Sequence, residues 1–136
     1  MVEKEYKTLV SHKQYECIKL MFQWTKCIIQ KNYYFDTDEM YCLRNDITVR
    51  IRQKKNDYYL QVKMPIRYEG GLHIKKEYQK ELHHLKDLIT SIEFKELSIP
   101  MHIPDVMQIG NLTTERLEYN INGTTLCLDR SVYNNI

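Results

Sequence analysis

Apolar and polar side chains alternate with a period of two through most of this chain, the signature of strands with two unlike faces. The pattern is cleanest over residues 46–64. Ile47, Val49 and Ile51 are apolar there, while Thr48, Arg50, Arg52 and Lys54 are polar or cationic. Beyond Asn56-Asp57, Leu60, Val62 and Met64 share one face and Tyr59, Gln61 and Lys63 the other. Asp46 to Lys54 and Tyr58 to Met64 therefore predict a hairpin that Pro65 ends. Asn111 to Asn120 and Thr124 to Val132 predict a second hairpin around Asn122-Gly123, a dipeptide that suits a type I′ turn. Three more strands are predicted: Val2 to Leu9, Cys27 to Asp36 before the turn-forming Asp36-Thr37-Asp38, and Leu72 to Gln79 after Gly70-Gly71.

Two stretches leave this period. Ser11 is placed to cap a helix carrying Tyr15, Ile18, Leu20, Met21, Phe22 and Trp24. Leu82, Leu85, Leu88, Ile89 and Ile92 have amphipathic helix spacing, which predicts a second helix over Glu81 to Phe94. Between Pro100 and Gly110 one further helical turn or two is expected. The sum is an α+β chain of seven antiparallel strands with helices covering their apolar faces.

Composition narrows the class. At 136 residues, 43% hydrophobic and 28% charged, the chain reads as a single globular domain over 1–136. A formal charge of +2 gives no global drive toward nucleic acid or a membrane surface, so any phosphate affinity must come from local clustering. No apolar run suits a signal peptide or a membrane span. Cys17, Cys27, Cys42 and Cys127 lack metal-site spacing and read as free thiols in a reducing cytoplasm. His73, His83 and His84 read as surface or supporting residues.

The charged faces carry the chemistry. Glu3, Glu5 and Lys7 fall on one face of the first strand, where two carboxylates could share a hard divalent cation and the lysine an anion bridged to it. A solvated strand face would look the same, and an open sheet could simply turn its charges to water. Two features favour an inward-facing arrangement. Charges are segregated by strand, and Arg50 with Arg52 presents guanidinium groups, which suit bidentate phosphate contact. If the sheet curls with that face inward, it needs water, metal and a polyanion inside, because unpaired buried charges cost several kcal/mol each.

At this point the motifs resemble those of the CYTH domain, or triphosphate tunnel metalloenzyme, superfamily, near its bacterial class IV adenylate cyclase and thiamine triphosphatase members. The resemblance runs from Glu3-x-Glu5-x-Lys7 through Asn32-Tyr33-Tyr34-Phe35-Asp36-Thr37, Arg50-Ile51-Arg52 and Lys63-x-Pro65. It continues to Leu112-Thr113-x-x-Arg116 and Leu126-x-Leu128-Asp129-x-x-x-Tyr133. It implies an antiparallel β-barrel, or tunnel, with a polar interior and helices outside. It implies Lys7, Arg50, Arg52, Lys63 and Arg116 as holders of polyphosphate oxygens, and Glu3, Glu5, Glu77 and Asp129 as ligands of Mg²⁺ or Mn²⁺, with Glu3, Glu5 and Lys7 catalytic. The implied reaction is metal-assisted hydrolysis of a triphosphate-bearing small molecule, inorganic or organic. A non-catalytic polyphosphate- or nucleotide-binding module and an adenylate cyclase are the alternatives.

The motif match is incomplete in places. Gln79 stands where a glutamate partner for Glu77 is expected, and Lys76 where some relatives have arginine. The second acidic strand expected after Asp129-x-x-x-Tyr133 does not precede Ile136. The resemblance thus implies a tunnel incomplete at its C-terminal side, whose open edges a homodimer could cover.

Overall fold

The computed structural model describes residues 1–134. In chain order these form β1 (Val2–Tyr6), α1 (His12–Met21), β2 (Lys26–Asp36), α2 (Tyr41–Arg44), β3 (Thr48–Lys54) and β4 (Asp57–Glu69). Then follow β5 (Leu72–Leu82), β6 (Leu88–Ile89), α3 (Ser91–Glu96), β7 (Val106–Ile121) and β8 (Thr124–Asn134). All strand pairs are antiparallel, in the order β1-β5-β4-β3-β2-β7, with both β6 and β8 pairing β7. The sheet curls into a half-barrel without closing. Among the described residues β1 forms one edge and β6 with β8 the other, and a cleft of about 1120 Å³ lies between β1 and β8, lined from both sides.

Both predicted hairpins form, but Pro65 does not end the first: β4 runs on to Glu69, and the pairing with β5 absorbs the proline by a register shift between Pro65 and Arg67. At the second, Asn122 and Gly123 take φ of 48° and 83°, the left-handed backbone that a type I′ turn requires and that Asn and Gly adopt at low cost. Alternation in β3 and β4 separates two faces as predicted. Outside, Tyr33, Phe35, Val49, Ile51, Leu60, Val62 and Met64 join Cys42, Phe94, Ile99, Ile103 and Val106 in the main core, under α2, α3 and the 97–105 segment. A smaller cluster packs Tyr15 of α1 against Leu117 and Leu128. Ser11 caps α1 with a full capping box: its Oγ accepts from Gln14 N at 3.1 Å, and its own N–H donates to Gln14 Oε1 at 2.8 Å. The helix stops at Met21, short of Trp24, whose indole N–H donates to the Lys19 carbonyl.

The second helix departs from expectation. Over Glu81 to Phe94, β5 runs on to Leu82, β6 pairs β7, and only Ser91–Glu96 is helical. Leu82, Ile89 and Phe94 are all buried in the one core, but three different elements supply them, so helical spacing arises without a continuous helix. Pro100 to Gly110 is likewise not helical. Ile99 and Ile103 insert into the core from an irregular segment bounded by Pro100 and Pro104, and β7 begins at Val106. Among the described residues the strands number eight, not seven, because β6 is two residues long and too short to show a period.

Candidate polyanion site

The inner face is built by cross-strand register. Asn32 of β2 lies opposite Arg52 of β3, Arg50 opposite Gln61 of β4, and Gln61 opposite Gln79 of β5. Side chains follow that register. Arg50 Nε donates to Gln61 Oε1 at 2.8 Å, Gln61 Nε2 to Gln79 Oε1 at 2.7 Å, and Arg52 Nε to Asn32 Oδ1 at 2.9 Å. Each guanidinium is thus aimed by a neutral amide. The amides fix direction without cancelling charge, and Arg50 is buried while Arg52 is half-buried. Burial, together with repulsion from Arg50 and Arg116, draws the Arg52 pKa down to about 10. These two cations call for an anion.

One step toward β1, Lys63 of β4 lies opposite Glu77 of β5. Its ammonium sits 2.8 Å from Glu3 Oε2 and 3.9 Å from Glu77 Oε2. Burial opposes ionisation of Glu3, but contacts with Glu77 and Lys63 and the charge of Arg50 outweigh it, and its pKa falls to about 2. Burial and the adjacent Glu3 carboxylate push Glu77 up. Glu3 therefore takes the negative charge more readily than Glu77 does. Burial and Arg50 lower Lys63, while Glu3 opposes this. Glu3 Oε2 is buried against the Lys63 ammonium, so an ion pair holds this carboxylate in place on the inner face.

Other predicted residues sit at the seam. Lys7 lies past the end of β1, exposed and 3.6 Å from Glu5 Oε1. Arg116 of β7 meets Asp129 of β8 in a two-bond fork, Nε and Nη2 donating at 2.8 and 2.9 Å, and this partner raises its pKa. Glu5, Lys7, Arg116 and Asp129 all line the cleft between β1 and β8. The structure therefore joins Glu3, Glu77, Lys63, Arg50 and Arg52 along the inner face, and places Glu5, Lys7, Arg116 and Asp129 at the opening. Among the described residues, no three acidic, histidine or cysteine side chains converge in the manner of a complete metal cage.

The neutral side chains that orient the arginines, Asn32, Gln61 and Gln79, were not expected as site residues. The available signal was their placement in period with Arg50 and Arg52. Asp36, by contrast, acts on the scaffold: buried, it accepts from Thr37 N, Cys42 N and Leu43 N at 2.7, 2.8 and 3.0 Å, fixing α2 beneath the sheet.

Known proteins resemble this chain in sequence and fold. The model of the CYTH domain matches residues 1–136. A Bacillus subtilis (strain 168) protein named "Putative triphosphatase YjbK" is 28% identical over 142 positions, spanning 98% of this chain and 72% of that one. A crystal structure from Bacillus halodurans, bh2851, described as a candidate adenylate cyclase, superposes with a TM-score of 0.65 at 26% identity, covering 99% of this chain and 74% of that one. HpAC1 from Hippeastrum, described as a candidate adenylyl cyclase with a dominant triphosphatase activity, shares the fold at TM-score 0.65 and 17% identity, with 91% of this chain and 70% of that one covered. By the full-length match and the half-barrel that carries it, this chain belongs to the CYTH domain family.

Proposed function

We propose that this protein hydrolyses a terminal phosphoanhydride of a triphosphate-bearing small molecule with the help of Mg²⁺ or Mn²⁺. The observation that carries this reading is the Arg50–Arg52 pair, two sheltered guanidinium groups oriented by amides and left without carboxylate partners in the described structure. Half-buried unpaired cations are costly, and a polyphosphate chain is the ligand whose charge and geometry answer both at once. The name of the Bacillus subtilis relative points to the same substrate class. The four free thiols suit a cytoplasmic setting.

The carboxylates fit a hard cation. Magnesium is commonly held by one or two carboxylates plus substrate phosphate oxygens, so Glu3 with Glu77, and Glu5 from the seam, form a sufficient donor set. When bound, the cation would supply electrostatic stabilisation of the charge that develops on the phosphate oxygens. The chain's own residues do the rest. Arg50 and Arg52 hold and orient the polyanion, and Lys63 keeps Glu3 ionised. Lys7 and Arg116, beside Glu5 and Asp129, provide cationic contacts at the opening.

The test is orthophosphate release from inorganic triphosphate with added Mg²⁺ or Mn²⁺ and with EDTA. Metal-dependent release that Arg52→Ala and Glu5→Gln abolish is expected. Among the described residues no three carboxylates converge, which favours one second reading, a binding module without turnover. Calorimetric binding of triphosphate with no product at any metal concentration would select it. Cyclic AMP formed from ATP would instead select the cyclase chemistry.

A further inference from the structure

β8 presents a free edge that its sequence does little to protect. Its register with β7 is regular from Thr124 to Asn134, with no bulge. The hairpin closes on the Ile121–Thr124 pair around a two-residue turn, so the even-numbered residues of β8 exchange their hydrogen bonds with β7. Thr125, Cys127, Asp129 and Ser131 therefore aim their backbone N–H and C=O groups outward. Among the described residues, no strand pairs with that side of β8. Proteins ordinarily blunt such an edge with lysine, proline, a bulge or a very short strand. Residues 124–134 contain no lysine, proline or glycine, and their only charged side chains are Asp129 and Arg130.

The edge is also accessible. The cleft between β1 and β8 runs along it from Thr124 to Ser131, and residues 129–133 are exposed. A second copy of β8 fits there because the strand is self-complementary about a two-fold axis. Antiparallel self-pairing must set like faces together, even residues against even and odd against odd. The longest such overlap centres on Asp129 and turns that carboxylate against itself, and centring on Arg130 does the same to the guanidinium. Centring on Leu128 sets no like charges opposite one another. Leu128 then meets its own copy, Leu126 meets the apolar stem of Arg130, Cys127 meets Asp129, and Thr125 meets Ser131. Each Asp129 already carries its own Arg116 fork, so the two carboxylates nearest the axis enter it matched.

We propose that a second copy of this chain docks on this edge by antiparallel β8–β8 pairing centred on Leu128, forming a two-fold dimer. The outward groups of Thr125, Cys127, Asp129 and Ser131 supply about eight backbone hydrogen bonds across the axis. Because like faces pair, the axis stands perpendicular to the sheet, and the inner faces of both half-barrels open to the same side. The Arg116–Asp129 forks of the two copies flank the axis, so the dimer braces the β8 wall of the cleft in each. The inference rests on the edge and its register alone and does not depend on the triphosphate reading.

Sedimentation velocity of the full chain at micromolar concentrations tests the dimer, and a species of twice the 16.5 kDa chain mass is expected. Ser131→Pro removes an outward N–H without touching the β7 ladder, and should give a monomer with an unchanged circular dichroism spectrum. Cross-linking tests the register independently of that variant. Residues 126 and 130 face each other across the axis in non-hydrogen-bonded pairs, with Cα atoms about 4.5 Å apart, within reach of a disulfide. In one chain they are about 13 Å apart along the strand, so a bond between them joins two copies. Mild oxidation should therefore convert the Leu126→Cys/Arg130→Cys double variant to a covalent dimer that dithiothreitol reverses. Arg130→Cys alone and the unsubstituted chain should stay uncross-linked. A chain that sediments as a monomer throughout would overturn the proposal, as would a folded Ser131→Pro variant that remains dimeric. Cross-linking of Arg130→Cys alone as efficient as that of the double variant would overturn the register, and the proposal with it.

Discussion

Lys63 shows how much one side chain decides here. Its ammonium lies between two acidic groups and keeps Glu3 charged within a partly buried setting. Replacing it with methionine should strand that carboxylate, at a cost of about 2 kcal/mol once partial exposure is allowed for, measurable by denaturant unfolding at pH 7. The pH dependence follows from the same pair. Glu3 holds its proton less tightly when folded, near 2 against 4.5, so its contribution is complete above pH 4.5 and is lost as pH falls toward 2. Glu77 has the opposite sign: raised on folding, it stabilises below its ordinary range and loses that contribution as pH rises through its folded value. Glu3→Gln should therefore flatten the acid side of the stability profile, read as denaturation midpoints between about pH 5 and pH 2. Arg52→Lys keeps the charge but loses the fork, and should weaken triphosphate binding about tenfold in a calorimetric titration. Arg50 and Arg52 were legible in the sequence as a guanidinium pair on alternate positions of a strand, and Lys63 through the motif it forms with Pro65. Asn32, Gln61 and Gln79 were not, because an amide in a strand has the same appearance whether it orients an arginine or faces water.

Among the elements, the strands were easier to read than the helices. Period-two alternation needs only a few residues to declare itself, and both hairpins carried turn residues with a specific backbone preference. The region from Glu81 to Phe94 misled because Leu82, Ile89 and Phe94 fill one core from three short elements. Their spacing reports burial, and burial alone does not name the backbone. This assigns α3 a packing role with a measurable consequence. Phe94 is 1% exposed, so Phe94→Ala should cost about 3–4 kcal/mol in urea unfolding, mostly from the cavity left under β3 and β4. Asp36→Ala, which removes three acceptor contacts at the start of α2, should cost about 2 kcal/mol by the same measurement, with the buried Cys42 amide left unpaired.

For the whole molecule, the modest net charge conceals a strong division. Cations gather along the inner face of β3, and carboxylates lie toward β1, while apolar side chains occupy the opposite face under α2 and α3. The curl of the sheet turns scattered surface charges into a single site, and only the register of eight strands shows which side chains meet. The motifs indicated the tunnel family, but the separation of Glu3 and Glu77 from Asp129 is a property of the folded chain. The central claim is that this division serves triphosphate hydrolysis. Phosphorus NMR of inorganic triphosphate incubated with the full chain and Mg²⁺ tests it most directly, since one water added to triphosphate must give orthophosphate and pyrophosphate in equal amounts. The account predicts both signals growing together, and neither growing with EDTA or with Arg52→Ala. An unchanged triphosphate spectrum with the unsubstituted chain, or equal product from Arg52→Ala, would contradict it.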